Sequence, residues 1–417
     1  MGYIDYLGEK ALIAKNEIGL ASTELKNDAL LEIAHILRSG KDEILAANAV
    51  DLENGRARNM TESLLDRLAL NEGRIESMAN ACESLAKLED PIGEIVSGST
   101  RPNGMRIEKV RVPMGVIGMI YEARPNVTVD AAILCLKSGN AVILRGGKEA
   151  INSNKCLADL MRTAIQRSGF NPDVIQLVED TDRGIVLDLM KANEYLDLLI
   201  PRGGAQLINA VVQTATVPVI ETGTGNCHVY VDASADINMA VDIVDNGKTQ
   251  RPSVCNAVET CLVHRDIAER FLPKLKARLD KHKVQIRGCE MTAQILGRDN
   301  VVPADEEDYA TEFLDYIIAI RVVDDLAQAL EHISKYSTGH SECIVTESLF
   351  AAEEFKKRID AAAVYVNCST RFTDGEMFGL GAEIGISTQK LHARGPMGLK
   401  EMTSTKFIVT GSGQIRP

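Results

Sequence analysis

The chain has 417 residues, 45% of them hydrophobic and 25% charged, with a mean hydropathy of −0.05 and a formal net charge of −13. That is the composition of a soluble globular protein long enough for two or three domains. The acidic balance argues against a polyanion-binding surface, so nucleic acid is not an expected partner, while a local basic pocket stays open.

Nine cysteines are scattered along the chain, with no CxxC and no Cys/His pair at zinc spacing. Reduced thiols in a cytoplasmic protein are expected, without a disulfide framework or a metal. The opening residues lack a basic stretch followed by an apolar one, and no run reaches about 18 apolar residues, so neither a signal peptide nor a membrane span is expected. Met1-Gly2 resembles a myristoylation start, but Tyr6 stands where that pattern needs Ser or Thr.

Ala11 to Ile18, Asn27 to Arg38 and Lys41 to Arg56 carry apolar residues at helical spacing, and Thr61 and Asn71 precede further helix starts. A helical layer without chemistry is expected up to about residue 90. Ile95 to Val110 then alternates around Pro102-Asn103-Gly104, which predicts a β-hairpin suited to an oligomer contact.

An α/β alternation follows. The predicted strands are Val116–Tyr121, Ala141–Leu144, Val174–Leu177, Leu196–Ile200 and Val217–Ile220. Helical periodicity lies between them, in Val129–Lys137, Ser153–Ser168 and Arg183–Lys191. Near-continuous apolar strands separated by helices predict a parallel sheet, with ligands at the carboxyl ends of its strands. Those ends carry Glu122 to Asn126, Arg145-Gly146-Gly147-Lys148, Arg202-Gly203-Gly204 and Glu221 to Asn226. A second set is predicted from Val229–Val231, Ala257–Val263, Tyr316–Val322, Glu342–Val345 and Ala363–Val366, with helices at Ile267–Leu279 and Leu326–Tyr336, and a last strand at Thr405–Thr410.

Three features carry chemistry. Asn246 to Asn256 follows a helical stretch ending near Val244 and precedes an apolar run, which places Cys255 in an accessible loop. Lys248, Arg251 and, further off, His264 lie near it in sequence, and positive charge favours the reactive thiolate. The bland alternative is a partly buried structural thiol. Second, Arg145-Gly146-Gly147-Lys148 and Arg202-Gly203-Gly204 join glycines to cations at strand ends, where backbone N–H groups and positive charge can meet phosphate. No G-x-G-x-x-G is present. Cations in place of Asp or Glu after the second strand favour a 2′-phosphate, hence NADP over NAD. Third, Glu221 follows an apolar run, where a carboxylate is a general base, a loop charge or a helix cap.

Several stretches resemble the aldehyde dehydrogenase superfamily. Val112 to Gly118 resembles its P-x-G-v-x-G entry, Ser138 to Val142 its a-G-N-x-v turn, Glu221-Thr222-Gly223 its E-x-G-G, and Cys255 its nucleophile. Longer stretches are similar to the γ-glutamyl phosphate reductases within it: Tyr121–Asn126, Glu221–His228, Asn246–Asn256, Ser337–Glu342, Ser369–Gly375 and Phe378–Gly385.

The resemblance implies an α/β fold of two parallel-sheet domains plus a small β-hairpin element for oligomerisation. It implies NADPH-dependent reduction of L-glutamate 5-phosphate to its semialdehyde in proline biosynthesis, by a homo-oligomer in the cytoplasm. The expected NADP-binding domain is residues 1–94 and 112–226, the hairpin and tail are 95–111 and 396–417, and the catalytic domain is 227–395.

Family positions for the adenosine ribose fall on Arg145 and Lys148, and the nicotinamide-ribose glutamate falls on Glu312 within a degraded E-x-F-G-P motif. Gly146 and Arg202-Gly203-Gly204 complete the expected cofactor set. The family's P-W-N oxyanion turn has no clean counterpart in a chain without tryptophan, which leaves Asn126 or Arg124 for that part. Lys248, Arg251, His340 and Arg371 are the expected ligands for substrate phosphate and carboxylate. A glutamate 5-kinase is the partner that would hand over the labile acyl phosphate. The competing readings are a hydrolytic aldehyde dehydrogenase and a non-catalytic protein that kept the fold.

Overall fold

The computed structural model describes residues 2–416. The chain divides into two compact units. One runs to Thr222 and takes back Gly379–Gly385 and the chain from Met397; the other is Gly223–Phe378 with Ile386–Pro396.

The first unit opens with helices α1 (Tyr3–Ile18), α2 (Thr23–Ser39), α3 (Lys41–Ala57), α4 (Glu62–Leu68) and α5 (Glu72–Lys87). Side-chain caps set their starts: Ser22 accepts from Leu25 N–H and Asn71 from Arg74 N–H. α2 buries Leu30, Ile33, Ala34 and Leu37, one face of the helix at three- and four-residue spacing. β1 (Ile95–Thr100) and β2 (Arg106–Pro113) form the expected antiparallel hairpin, with Gly104 at φ +85° in its turn.

Then follow β3 (Val116–Tyr121), α6 (Asn126–Lys137), β4 (Ala141–Arg145), α7 (Ile151–Arg167), β5 (Ile175–Leu177), α8 (Arg183–Met190), β6 (Leu198–Arg202) and α9 (Ala205–Thr214). The four strands are parallel, in the order β5-β4-β3-β6. The chain steps outward from β3 to β5 and then returns to the other side of β3. The topological switch, where such sheets open a crevice, therefore lies beyond Tyr121 and Arg202. Val217–Ile220 is not a full strand and makes one isolated bridge, Val219 to Leu199. Pro218 offers its carbonyl to Leu199 N–H but has no N–H with which to continue a ladder.

The second unit contains β7 (Cys227–Val231), α10 (Ile237–Thr249), β8 (Val258–His264), α11 (Arg265–Leu279), β9 (Gln285–Gly288), α12 (Glu290–Leu296), β10 (Val302–Pro303), β11 (Ile317–Val323), α13 (Leu326–Tyr336), β12 (Ser341–Val345), α14 (Leu349–Arg358) and β13 (Ala363–Val366). A short pair, β14 (Ile386–Ser387) and β15 (Gly395–Pro396), closes it. Seven strands form one parallel sheet in the order β10-β9-β11-β8-β7-β12-β13. Its core is mostly aliphatic, with Val229, Val231, Val263, Leu272, Ile318, Ile320 and Val345 buried beside Phe271. β9 and β10 carry Gln285, Arg287 and Pro303, too short and polar to stand out in the sequence.

The chain then returns to the first unit in β16 (Thr403–Thr410), which pairs antiparallel with β2 along its whole length. β1, β2 and β16 form a three-stranded sheet whose β1 residues are all exposed.

One local expectation needs correction. α10 continues to Thr249, so Asn246, Gly247 and Lys248 belong to its last turn and not to a loop. Gly247 makes this fit, because a Cβ there would lie 2.4 Å from a Val258 methyl. The glycine that reads as a loop signal permits close packing of helix on strand.

Candidate functional site

In the second unit Cys255 lies between the end of α10 and the start of β8, three residues before Val258. This is the amino edge of the strand. Asn226 precedes β7 and His340 precedes β12 on the same edge. For this sheet the candidate residues thus gather at the amino ends, opposite to the general expectation for parallel sheets.

The loop is held by its own unit. Asn256 accepts at its carbonyl from Thr370 Oγ1 (2.7 Å) and donates from Nδ2 to the Thr373 carbonyl (2.9 Å). Gly225 packs on the Cys255 backbone so closely that a Cβ would sit 1.4 Å from its carbonyl oxygen. The Cys227 thiol donates to that same carbonyl at 3.2 Å.

Cys255 is half-buried. Burial pushes the thiols of Cys82, Cys135, Cys156, Cys261, Cys343 and Cys368 above their ordinary range, and Cys227 well above it. Those thiols stay protonated and unreactive at neutral pH. Arg371 donates from Nε to Gln250 Oε1 (2.9 Å) and from Nη1 to Asn256 Oδ1. Burial and then the neighbouring Arg251 lower its pKa, while Asp374 and Cys255 oppose them. Arg251 and Arg371 therefore share one electrostatic neighbourhood with Cys255.

Two of the expected substrate ligands are placed otherwise. Lys248 is fully buried and donates to Glu259 Oε2 at 2.6 Å, both side chains being 0% exposed. Burial lowers the Lys248 ammonium and raises the Glu259 carboxyl. Lys248 is thus corrected from a ligand facing substrate to an internal partner of Glu259, because it projects from the inner face of α10. His340 is also buried. Its Nδ1 lies 2.8 Å from Ser341 Oγ and 3.7 Å from Cys227 Sγ, two links from Cys255 and not at an open surface.

Glu312 belongs to the same unit, and its Oε1 accepts from Gly225 N–H at 2.7 Å. Burial raises its pKa. Asn226 donates from Nδ2 to the carbonyls of Tyr309 (2.7 Å) and Tyr336 (2.9 Å) and so fixes the residue after Gly225. Sequence reasoning missed Gly225, Cys227 and Glu259. Gly225 and Cys227 enter the sequence reading only within the stretch Glu221–His228, without a part of their own, and nothing in the sequence marks Glu259 as a partner of Lys248.

In the first unit the cationic glycine turns sit at the expected strand ends. Arg145 donates to the carbonyls of Gly146 (3.1 Å) and Thr181 (3.4 Å), and burial lowers its pKa. A Cβ on Gly146 would lie 2.1 Å from Asn154 Nδ2, and one on Gly203 2.7 Å from the Glu122 carboxyl carbon. Arg202 gives its carbonyl to Glu122 N–H (3.2 Å), joining β6 to the loop after β3 at the switch point.

Lys148 is exposed and lines a pocket with Arg58, Asp51 and Asn152. Arg58, at the end of α3, lies in the region to which no chemistry had been assigned. Asn126 begins α6 and donates to Asp130 Oδ2 (2.9 Å), whose pKa burial pushes up to about 6. Arg124 accepts at its carbonyl from Val127 N–H, within the same turn. Glu221 is half-buried, and the following Thr222 anchors to the Pro201 carbonyl at 3.0 Å.

The sequence model of the aldehyde dehydrogenase family matches residues 4–298 and 300–408. The chain belongs to the aldehyde dehydrogenase family. Within the family it is 58% identical over 409 residues to a protein of Heliobacterium modesticaldum named gamma-glutamyl phosphate reductase, covering 98% of both chains. It is 52% identical to the crystal structure of gamma-glutamyl phosphate reductase from Thermotoga maritima, with a TM-score of 0.97 and complete coverage of both chains. An engineered glycolyl-CoA reductase with bound NADP+, 18% identical, shares the aldehyde dehydrogenase fold at a TM-score of 0.70, over 98% of this chain and 96% of that one.

Proposed function

We propose that this chain reduces L-glutamate 5-phosphate to L-glutamate 5-semialdehyde and phosphate with NADPH, the second step of proline biosynthesis, through a thioester on Cys255. The observation that carries the reading is Arg371, bonded to Gln250 and Asn256 on either side of a half-buried Cys255, with Arg251 in the same loop, while the other thiols are mostly buried. An acyl phosphate brings a dianion to the thiol that it acylates, and two guanidiniums suit that charge. The names of the full-length relatives support the same substrate.

In this reading the Cys255 thiolate attacks the acyl carbon, the carbon–oxygen bond to phosphate breaks, and phosphate leaves toward Arg251 and Arg371. The Cys255 backbone N–H is assigned to the oxyanion, with Arg124 and Asn126 as the further donors that the family turn implies. The nicotinamide cofactor, when bound, supplies the hydride that reduces the thioester carbon. Cys255 then releases the aldehyde as the carbon–sulfur bond breaks. The route consumes no water, so Glu221 is assigned to proton transfer or to placing the 221–226 segment.

Asn154, Glu149 and Glu122 pack against Gly146, Gly147 and Gly203 and hold these turns compact at the strand ends, and Lys148 and Arg58, which line one pocket with Asp51 and Glu149, are the cations assigned to the 2′-phosphate. The NADP+ held by the glycolyl-CoA reductase supports the choice of cofactor. In the same reading the chain works in the cytoplasm as a homo-oligomer, and a glutamate 5-kinase delivers the acyl phosphate.

The deciding experiment runs the reaction backwards. With glutamate 5-semialdehyde and NADP+, formation of NADPH is expected only when inorganic phosphate is present. Equal rates without phosphate would overturn the proposal in favour of a hydrolytic dehydrogenase. Lys148→Glu is expected to raise KM for NADPH by about tenfold or more and to leave KM for NADH nearly unchanged. Equal losses with both cofactors would remove Lys148 from the 2′-phosphate.

A further inference from the structure

We infer that the buried Lys248–Glu259 pair is a positioning device for the nucleophile loop, acting through Leu314 and Glu312 on Gly225. Four observations within the second unit form the chain. Lys248 lies in the last turn of α10, just ahead of the Cys255 loop, and its ammonium is held by Glu259 Oε2 at 2.6 Å with both side chains fully buried. The other oxygen, Oε1, accepts from Leu314 N–H at 3.2 Å. Leu314 has φ +55°, a left-handed conformation that a residue with a Cβ keeps only under constraint. Two residues earlier, Glu312 accepts from Gly225 N–H at 2.7 Å, and Gly225 lies directly on the Cys255 backbone.

The circuit starts at Lys248 in the last turn of α10, upstream of the loop, and returns at Glu259 in β8, downstream of Cys255. Either carboxylate alone would be an ordinary buried anchor. Together they fix both ends of one strained turn: Glu259 holds the turn and Glu312 holds the segment that packs on Cys255. A buried ion pair is a costly way to gain stability, and it is better suited to fixing one geometry where small displacements are felt in the rate. Lys248 and Glu259 are therefore positioning residues, which act on the nucleophile through other residues.

The test uses the full chain with Glu259→Gln and, separately, Leu314→Gly. Glycine takes φ +55° freely, and Leu314 is only half-buried, so the second variant loosens the turn with a smaller vacancy than a core truncation leaves. Hydrogen exchange read by mass spectrometry is expected to speed up about tenfold in peptides spanning 223–227, with β11 and β12 peptides unchanged. The segment also meets β8 directly, Cys227 pairing with Val258 next to Glu259, so Leu314→Gly, which leaves that pairing in place, is the variant that isolates transmission through Glu312.

The kinetic arm rests on the proposed reaction: kcat should fall about tenfold with KM changed by less than about twofold. Unchanged exchange at 223–227 in both variants overturns the inference, as does faster exchange throughout the unit, which marks a merely structural pair. If Glu259→Gln does not fold, Leu314→Gly alone decides. If the wild-type chain lacks the proposed activity, that reading fails while the exchange measurement still decides this one.

Discussion

Cys255→Ala is expected to lower kcat by at least about 10⁴-fold while leaving NADPH binding intact. The size of the loss follows from the thiols around it. The cysteine placed to substitute is Cys227, whose sulfur lies 3.2 Å from the Cys255 carbonyl. Burial holds that thiol well above its usual range and leaves it protonated. No second nucleophile of the right state therefore takes over. The measurement is semialdehyde-dependent reduction of NADP+ in phosphate, with NADPH binding followed by its fluorescence. Turnover retained within about a hundredfold would sink the thioester route, whatever the relatives are called.

Gly225→Ala is expected to cost about 100-fold or more in kcat and about 1–3 kcal/mol in stability. A Cβ at this position would stand 1.4 Å from the Cys255 carbonyl oxygen, 2.3 Å from its carbon and 2.8 Å from its Cα. All three are backbone atoms, so relief requires the Cys255 loop or the 223–226 segment to move. The first displaces the nucleophile and the second breaks the 2.7 Å bond to Glu312. Gly223→Ala is the control: its Cβ would meet the Thr388 side chain at 2.3 Å, and a rotamer change there is the cheaper response. Kinetics and denaturant midpoints of the two variants check the contrast. Equal, mild effects would show that Gly225 does not set the position of Cys255.

Much of this was legible in the sequence, for identifiable reasons. Parallel strands buried on both faces leave unmistakable apolar runs, and Val116–Tyr121 is buried at every position. The hairpin announced itself through Pro102-Asn103-Gly104. Cys255 stood out because it lies among long family-like stretches. Partnerships across sequence were not legible. Lys248 reads as a free cation beside a cysteine, and only the register of α10 on β8 turns it inward to Glu259. Gly247 reads as a loop signal because its two uses, turn and close packing, look alike in one dimension. Pro218 sits in an apolar run, yet its missing N–H ends the strand. The amino-edge location of the nucleophile was hidden for another reason: the rule about carboxyl ends concerns sheets, and the loop's side of the sheet depends on connections that local periodicity does not encode.

The pairing of β16 with β2 has a consequence for biosynthesis. Its partners, from Pro113 with Thr403 to Arg106 with Thr410, lie about 300 residues apart. While the intervening chain is being translated, β2 has only β1 beside it, and its other edge offers unpaired backbone groups to any passing strand. Contacts of such separation form slowly, and the nascent chain carries that open edge until the second unit has emerged. Synthesis is thus the period in which this protein is most exposed to mispairing, and chaperone demand should track the wait for β16.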